Sequence, residues 1–142
     1  MAIHRERPYG QSNFLVDVGD GDAESAAAGF SEVIFPPFDA DLGDAHETAS
    51  PAERAAPLLI LRRGFTGSLD LYTWWDKARR GRAPKRRTVT VRLLADDHET
   101  VVAGWRFRTV RPVRLSYSPL RANEAGIVME TIELAFDKVE ML

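Results

Sequence analysis

The chain has 142 residues, enough for one domain, and its 44% apolar and 9% aromatic content is globular rather than disordered composition. It has no cysteine, which excludes a disulfide scaffold, a thiolate metal site and cysteine catalysis. A net charge of −2 gives no whole-molecule attraction to nucleic acid or an anionic membrane, and apolar runs of about four residues fall far short of the ~20 a membrane helix needs.

Met1 to Arg7 is polar and lacks the apolar core of a leader, so no secretory signal is expected. Asn13 to Val18 is a β-rich run that ends in Gly19-Asp20-Gly21-Asp22, residue types that tolerate a left-handed backbone and so predict a turn. A second strand is expected over 27–35, stopped by Pro36-Pro37. Residues 36–57 hold four prolines, many acids and alanines and no periodicity, which predicts an irregular loop or insertion with at most a helical turn near 51–56. Leu58 to Arg63 reads as a buried strand, and Gly64 to Gly67 as a turn.

A helix is expected over 69–80. Ser68 is a candidate N-cap, Asp70 falls in the first turn, Lys77, Arg79 and Arg80 in the last, and Gly81 just beyond. Leu71, Trp74, Trp75 and Ala78 recur at helical spacing and predict the face that packs on the strands. After Pro84 the period falls to two. Val89, Val91 and Leu93 form one run, Asp96-Asp97 a hairpin turn, and Val101 to Arg108 the next run. A further run through Val110 and Leu115 is interrupted by Pro112, which predicts an edge or bulge there, and a last one covers 127–137. Six or seven strands with one helix predict a mainly β fold, an antiparallel β-barrel or sandwich with the helix on its flank.

The small net charge hides a division: residues 1–54 carry −8 and residues 55–142 carry +6. Either two unlike surfaces meet between copies, or the halves interleave in the fold and the asymmetry vanishes in space. The cations concentrate in Arg79, Arg80, Arg82, Lys85, Arg86 and Arg87. Such a cluster suits phosphates, which makes a small nucleic-acid- or effector-binding barrel the alternative reading, although charge at a helix end is more often a solvated loop.

Catalytic and metal patterns are absent from the sequence. His4, His46 and His98 share no ligand spacing, and Ser31 has no nucleophile-elbow context. Asp17, Asp20, Asp22 and Glu24 lack the calcium-loop register, and Gly64 to Gly67 is not followed by the Lys-Ser/Thr of a phosphate loop. No catalytic, cofactor-binding or metal-ligating residue is therefore expected.

Three segments carry a resemblance. Asn13-Phe14-Leu15-Val16 with Ala28-Gly29-Phe30-Ser31-Glu32-Val33 resembles the opening hairpin of the tail tube proteins of contractile bacteriophages and of the inner-tube proteins of contractile injection systems. Leu61 to Trp75 is similar to that family's L-x-R-G-x-T-x-S-x-x-L-x-x-W pattern, with Arg63, Gly64, Thr66, Ser68, Leu71 and Trp74 at its fixed positions. Asn123 and Glu130 to Ala135 resemble its closing strand. The resemblance spans nearly the whole chain in the same order. It implies a non-enzymatic subunit, without cofactor, of hexameric rings that stack into a hollow tube. Such a tube is made in the cytoplasm and assembled in a phage tail or tail-like particle. Its implied partners are neighbouring rings, a contractile sheath and a baseplate, with the lumen open to cargo and no membrane anchor or specific nucleic acid.

The family's second strand leads into a long β-hairpin that pairs rings. Here that stretch is the acidic, Pro/Ala-rich insertion at 36–57, which favours a loop over a hairpin and makes an initiator or adaptor ring at the baseplate a variant of the reading. The expected inter-subunit contacts are Phe38, Asp39 and Asp41 of this segment and Arg79, Arg80, Arg82, Arg86 and Arg87 of the basic cluster.

Overall fold

Among the described residues the alternating runs of the sequence become seven strands and one helix. They are β1 (Phe14–Asp17), β2 (Glu32–Ile34), β3 (Leu59–Gly64), β4 (Arg87–Leu94), β5 (Val101–Tyr117), β6 (Met129–Ala135) and β7 (Lys138–Met141), with α1 (Asp70–Arg79) between β3 and β4. This computed structural model describes residues 2–19, 29–39, 57–81 and 87–142. Among the described residues the mainly β, antiparallel architecture with one flanking helix is the one expected from the sequence. The turn residues 20–22, the start of the second expected strand, the insertion from 40 to 56, and Arg82, Lys85 and Arg86 lie outside the described residues.

All pairings are antiparallel, in the order β1-β4-β5-β6-β3-β2, with β7 also on β5. The run expected over Val101 to Arg108 and the further run through Val110 and Leu115 are one strand of 17 residues. Proline has no N–H for the ladder, and β5 accommodates it with a register shift between Pro112 and Arg114. A sharper break lies just before it. Thr109 has φ 57, a rare conformation for a β-branched residue. At the same level β4 shifts register between Arg87 and Val89, and β6 stops at Ala135 before β7 resumes at Lys138. All three strands turn together, so β1, β4, β7 and the first part of β5 form one half of the sheet. The rest of β5, with β6, β3 and β2, forms the other half.

The two inner faces share one core. Val16, Val89, Val91 and Phe107 come from the first half, Leu59, Leu61, Ile132 and Leu134 from the second, and Leu71 and Trp74 from α1. The sheet does not close into a barrel. Its terminal strands are only four and three residues long, and a cleft of about 670 Å³ lies between them, floored by Val91, Leu93 and Trp105. The turn after β1 needs its glycine: Gly19 has φ +66, and a Cβ there would sit 2.0 Å from the Thr88 carbonyl oxygen.

The helix differs from expectation at its start. Ser68 is not the N-cap; Leu69 holds that position without a side-chain cap. The Ser68 hydroxyl instead donates to Asp70 Oδ1 at 2.9 Å, and that carboxylate accepts the Leu71 N–H at 2.9 Å. At the other end Gly81, with φ +69, donates its N–H to the Ala78 carbonyl at 3.2 Å, an ordinary glycine stop. Trp74 is 1% exposed, whereas Trp75 is half-buried against Tyr72 and under Arg79.

The same substitution at these adjacent residues should therefore have unequal effects. Trp74→Ala is expected to cost ~3–5 kcal/mol in urea unfolding and Trp75→Ala about 1 kcal/mol or less. Equal losses at the two sites would contradict the assigned packing of α1.

Candidate functional site

Alternation along β3 places Leu59, Leu61 and Arg63 on one face, and alternation along β6 places Glu130, Ile132 and Leu134 on the facing side. The inward row thus ends in an arginine and a glutamate, which are direct cross-strand partners. Arg63 is 5% exposed and Glu130 is 0% exposed. Arg63 Nε donates to Glu130 Oε1 at 2.8 Å, and the other guanidinium nitrogens donate to both oxygens of Asp70 at the start of α1. The Tyr117 hydroxyl of β5 donates to Glu130 Oε2 at 2.8 Å. One buried guanidinium therefore ties together three strands and the helix.

The electrostatics follow from burial and pairing. Burial alone would raise the Asp70 pKa, but hydrogen bonds from Arg63 and Ser68, with the Arg63 charge, hold it below the usual value of 3.8. Burial would lower the Arg63 pKa, and its bonds to Asp70 and Glu130 more than offset this. The Tyr117 hydroxyl is pushed up to about 12, first by burial and then by its bond to Glu130. These groups hold fixed protonation states at neutral pH, as a structural clamp requires.

The outward faces are polar and laddered. Across the second half of the sheet, Ser116, Thr131, Arg62 and Glu32 align in one row, and Arg114, Glu133, Ile60 and Ile34 in the next. Arg62 reaches Thr131 at 3.2 Å and Glu32 at 3.4 Å, and Arg114 reaches Glu133 at 3.4 Å. On the first half, Arg108 donates to Glu140 at 2.7 Å, which holds that carboxyl below its ordinary range. Glu32 with Arg62 and Arg5 with Asp96 each join the acidic and basic parts of the sequence, so the two interleave at these points.

The residues singled out in the sequence fall in different places. Leu71 and Trp74 lie in the core, while Trp75 and Ala78 are half-buried. Phe38 and Asp39 are exposed beyond β2. Arg79 and Arg80 are exposed at the end of α1 and pair with Asp76, at 2.7 and 3.1 Å. Arg87 is half-buried at the start of β4, its guanidinium 4.4 Å from the centre of the Trp74 ring. Asp41, Arg82 and Arg86 lie outside the described residues. Sequence reasoning missed the Arg63 clamp, although two opposite charges at inward parity on adjacent strands were a readable signal.

Among the described residues no group of three or more His, Asp and Glu side chains could hold a metal, and no helix is long and apolar enough to cross a membrane. What the surface offers is apolar side chains at its ends. Phe65, Tyr117, Leu120 and Ile127 are exposed where β3 and β5 end, and Ile34, Phe35 and Phe38 are exposed where β2 ends.

Residues 10–140 match the family described as T4-like virus tail tube protein gp19. Among curated proteins no relative matches the sequence. Among solved structures, the chain is similar to one in the sheath-tube complex of an extracellular contractile injection system, PVC, in the extended state. The TM-score is 0.73 at 20% identity, over 96% of this chain and 93% of that one. It is similar to the tube-terminating cap of the anti-feeding prophage, with a TM-score of 0.72 at 20% identity over 100% and 95%. A more distant likeness is to Hcp1 from Flavobacterium johnsoniae, with a TM-score of 0.56 at 15% identity over 90% and 93%.

The clamp makes stability depend on acid. Because the folded-state pKa of Asp70 is depressed, its contribution is present above the unfolded value of 3.8 and is lost as pH falls through the folded value. Urea unfolding across pH 7 to 2 should therefore show an acid limb that Asp70→Asn flattens. A limb unchanged in slope would contradict the role given to Asp70.

Proposed function

The chain belongs to the T4-like virus tail tube protein gp19 family, and from that premise we propose that it is a structural subunit of the inner tube of a contractile tail or injection system. Six copies form a ring, and rings stack within a sheath or join the tube to the baseplate. The observation that carries this reading is the family match across residues 10–140. The geometry supports it: the interior holds fixed charges with no reactive group among the described residues, and the exterior offers free strand edges, laddered charge and apolar ends. The subunit is structural rather than catalytic, and it is assembled into a tail or tail-like particle.

Solved chains of the same fold come from a tube, from a tube-terminating cap and from a baseplate. The fold thus suits both a repeating shaft and an adaptor ring, and the Pro-rich insertion of this chain favours the adaptor. Asp76 partly neutralises Arg79 and Arg80 within the chain, which lessens the pull of this helix end on phosphates. Acidic residues 39–53 meeting residues 79–87 of the next subunit would set the register of the ring.

Negative-stain microscopy of the purified protein tests the reading. Six-fold rings are expected, long regular tubes would identify the shaft subunit, and dispersed monomers at high concentration would overturn the proposal. Reversing Arg79, Arg80 and Arg82 to Glu should reduce the ring population most at low salt, with circular dichroism confirming the helix. An unchanged ring population would refute the electrostatic contact.

A further inference from the structure

β5 carries Arg106, Arg108, Arg111 and Arg114, a spacing that plain alternation cannot put on one face. With Phe107 buried, strict period two would turn Arg106, Arg108 and Arg114 outward and Arg111 inward, against the core. The left-handed backbone at Thr109, with φ 57, changes the parity, so Val110 and Pro112 are buried and Arg111 is exposed. The register shift between Pro112 and Arg114 changes it back, and Arg114 faces outward opposite Glu133 while Leu115 packs on the core opposite Ile132. Glycine is the usual occupant of a left-handed bulge position, and a β-branched residue there is strained. Bulges re-aim side chains, and a strained residue kept in mid-strand points to a use for what it re-aims. Here that is Arg111.

Neighbouring strands widen the row. Arg92 of β4 lies opposite Gly104, and Lys138 of β7 opposite Arg108, both on the outer face. Together these six cations face only Asp17, Glu133 and Glu140. Glu140 pairs with Arg106 and Arg108, Glu133 with Arg114, and Asp17 accepts the Gly19 N–H. Arg92, Arg111 and Lys138 form no ion pair with any described residue. From Arg106 to Arg114 the row runs roughly 25 Å along the strand.

We propose that this row is a docking surface for an extended acidic segment of another polypeptide, laid along β5 with its carboxylates on the cations that lack a partner. Charge complementarity carries the choice of partner, since guanidinium groups bind carboxylates through charge-assisted hydrogen bonds. Side chains on one side of an extended chain recur about every 7 Å, the spacing of Arg106 and Arg108. No outward position of β4, β5, β6 or β7 is aromatic, so the face has nothing on which the bases of a single-stranded nucleic acid would stack. The inference adds a partner to the proposed tube subunit and does not depend on how its copies meet.

Fluorescence anisotropy of a labelled peptide of about ten glutamates, long enough when extended to span the row, tests it on the wild-type protein. The peptide should bind at about 20 mM salt and weaken towards about 150 mM as the charges are screened. Arg92→Gln/Arg111→Gln should raise Kd about fivefold with an unchanged circular dichroism spectrum. Arg7→Gln/Arg121→Gln, which removes the same charge elsewhere, should change Kd less than about twofold. No binding of the peptide, an equal loss from the two double variants, or tighter binding of a thymidine oligonucleotide of the same charge would overturn the inference. Each of those outcomes would leave the tube reading standing, because rings are seen separately by microscopy.

Discussion

A single buried guanidinium constrains this fold. Arg63 is placed inward by the same alternation that buries Leu59 and Leu61, and a cation in that position is tolerable only when its charge and its donors are met. Glu130 meets them across the β3–β6 ladder, Asp70 from the helix and Tyr117 through Glu130. Shifting β3 against β6 by one residue would turn Leu59, Leu61 and Arg63 to the outer face and leave Glu130 buried without its partner, so the pair also specifies register. The start of α1 follows from it: with Asp70 turned towards Arg63, Ser68 braces the carboxylate rather than capping the helix.

A rigid interior of this kind suits a subunit whose work is done by its exterior. In the proposed ring each copy must present the same unlike faces, and loosening between sheet and helix would move those faces relative to each other. The bend at Thr109 serves the same end, letting β5 run through both halves of the sheet so that they share one core. The outer face of the second half-sheet carries polar ladders, the kind of charge that disfavours edge-to-edge aggregation in sheets. Several exposed apolar residues lie where strands end, Phe65, Tyr117, Leu120 and Ile127 at one end and Ile34, Phe35 and Phe38 at the other.

The strands and the helix were legible because their apolar residues repeat at periods of two and about three and a half, and burial enforces that repeat. Leu71 and Trp74 could be placed in this way. The bulge at Pro112 was legible too, but the continuity of β5 across Thr109 was not, because a break that three strands share depends on the partner strands rather than on local chemistry. β7 was missed since four residues after a short break look like a tail until β5 is there to pair them. Closure into a barrel is likewise a property of how far the terminal strands reach, and β2 is three residues long. Arg63 was read as part of a strand and as a fixed position of the family's pattern but not as a buried charge, although its parity with Leu61 and that of Glu130 with Ile132 pointed to a buried pair.

A double-mutant cycle on Arg63 and Glu130, read by urea unfolding, tests this account most directly. Arg63→Met and Glu130→Met should each cost about 3–5 kcal/mol by leaving a buried partner unmet. The double variant should cost less than the sum, with a coupling on the order of 1–3 kcal/mol. Strictly additive losses, or singles that each cost under about 1 kcal/mol, would contradict the claim that this pair holds the sheet and the helix together.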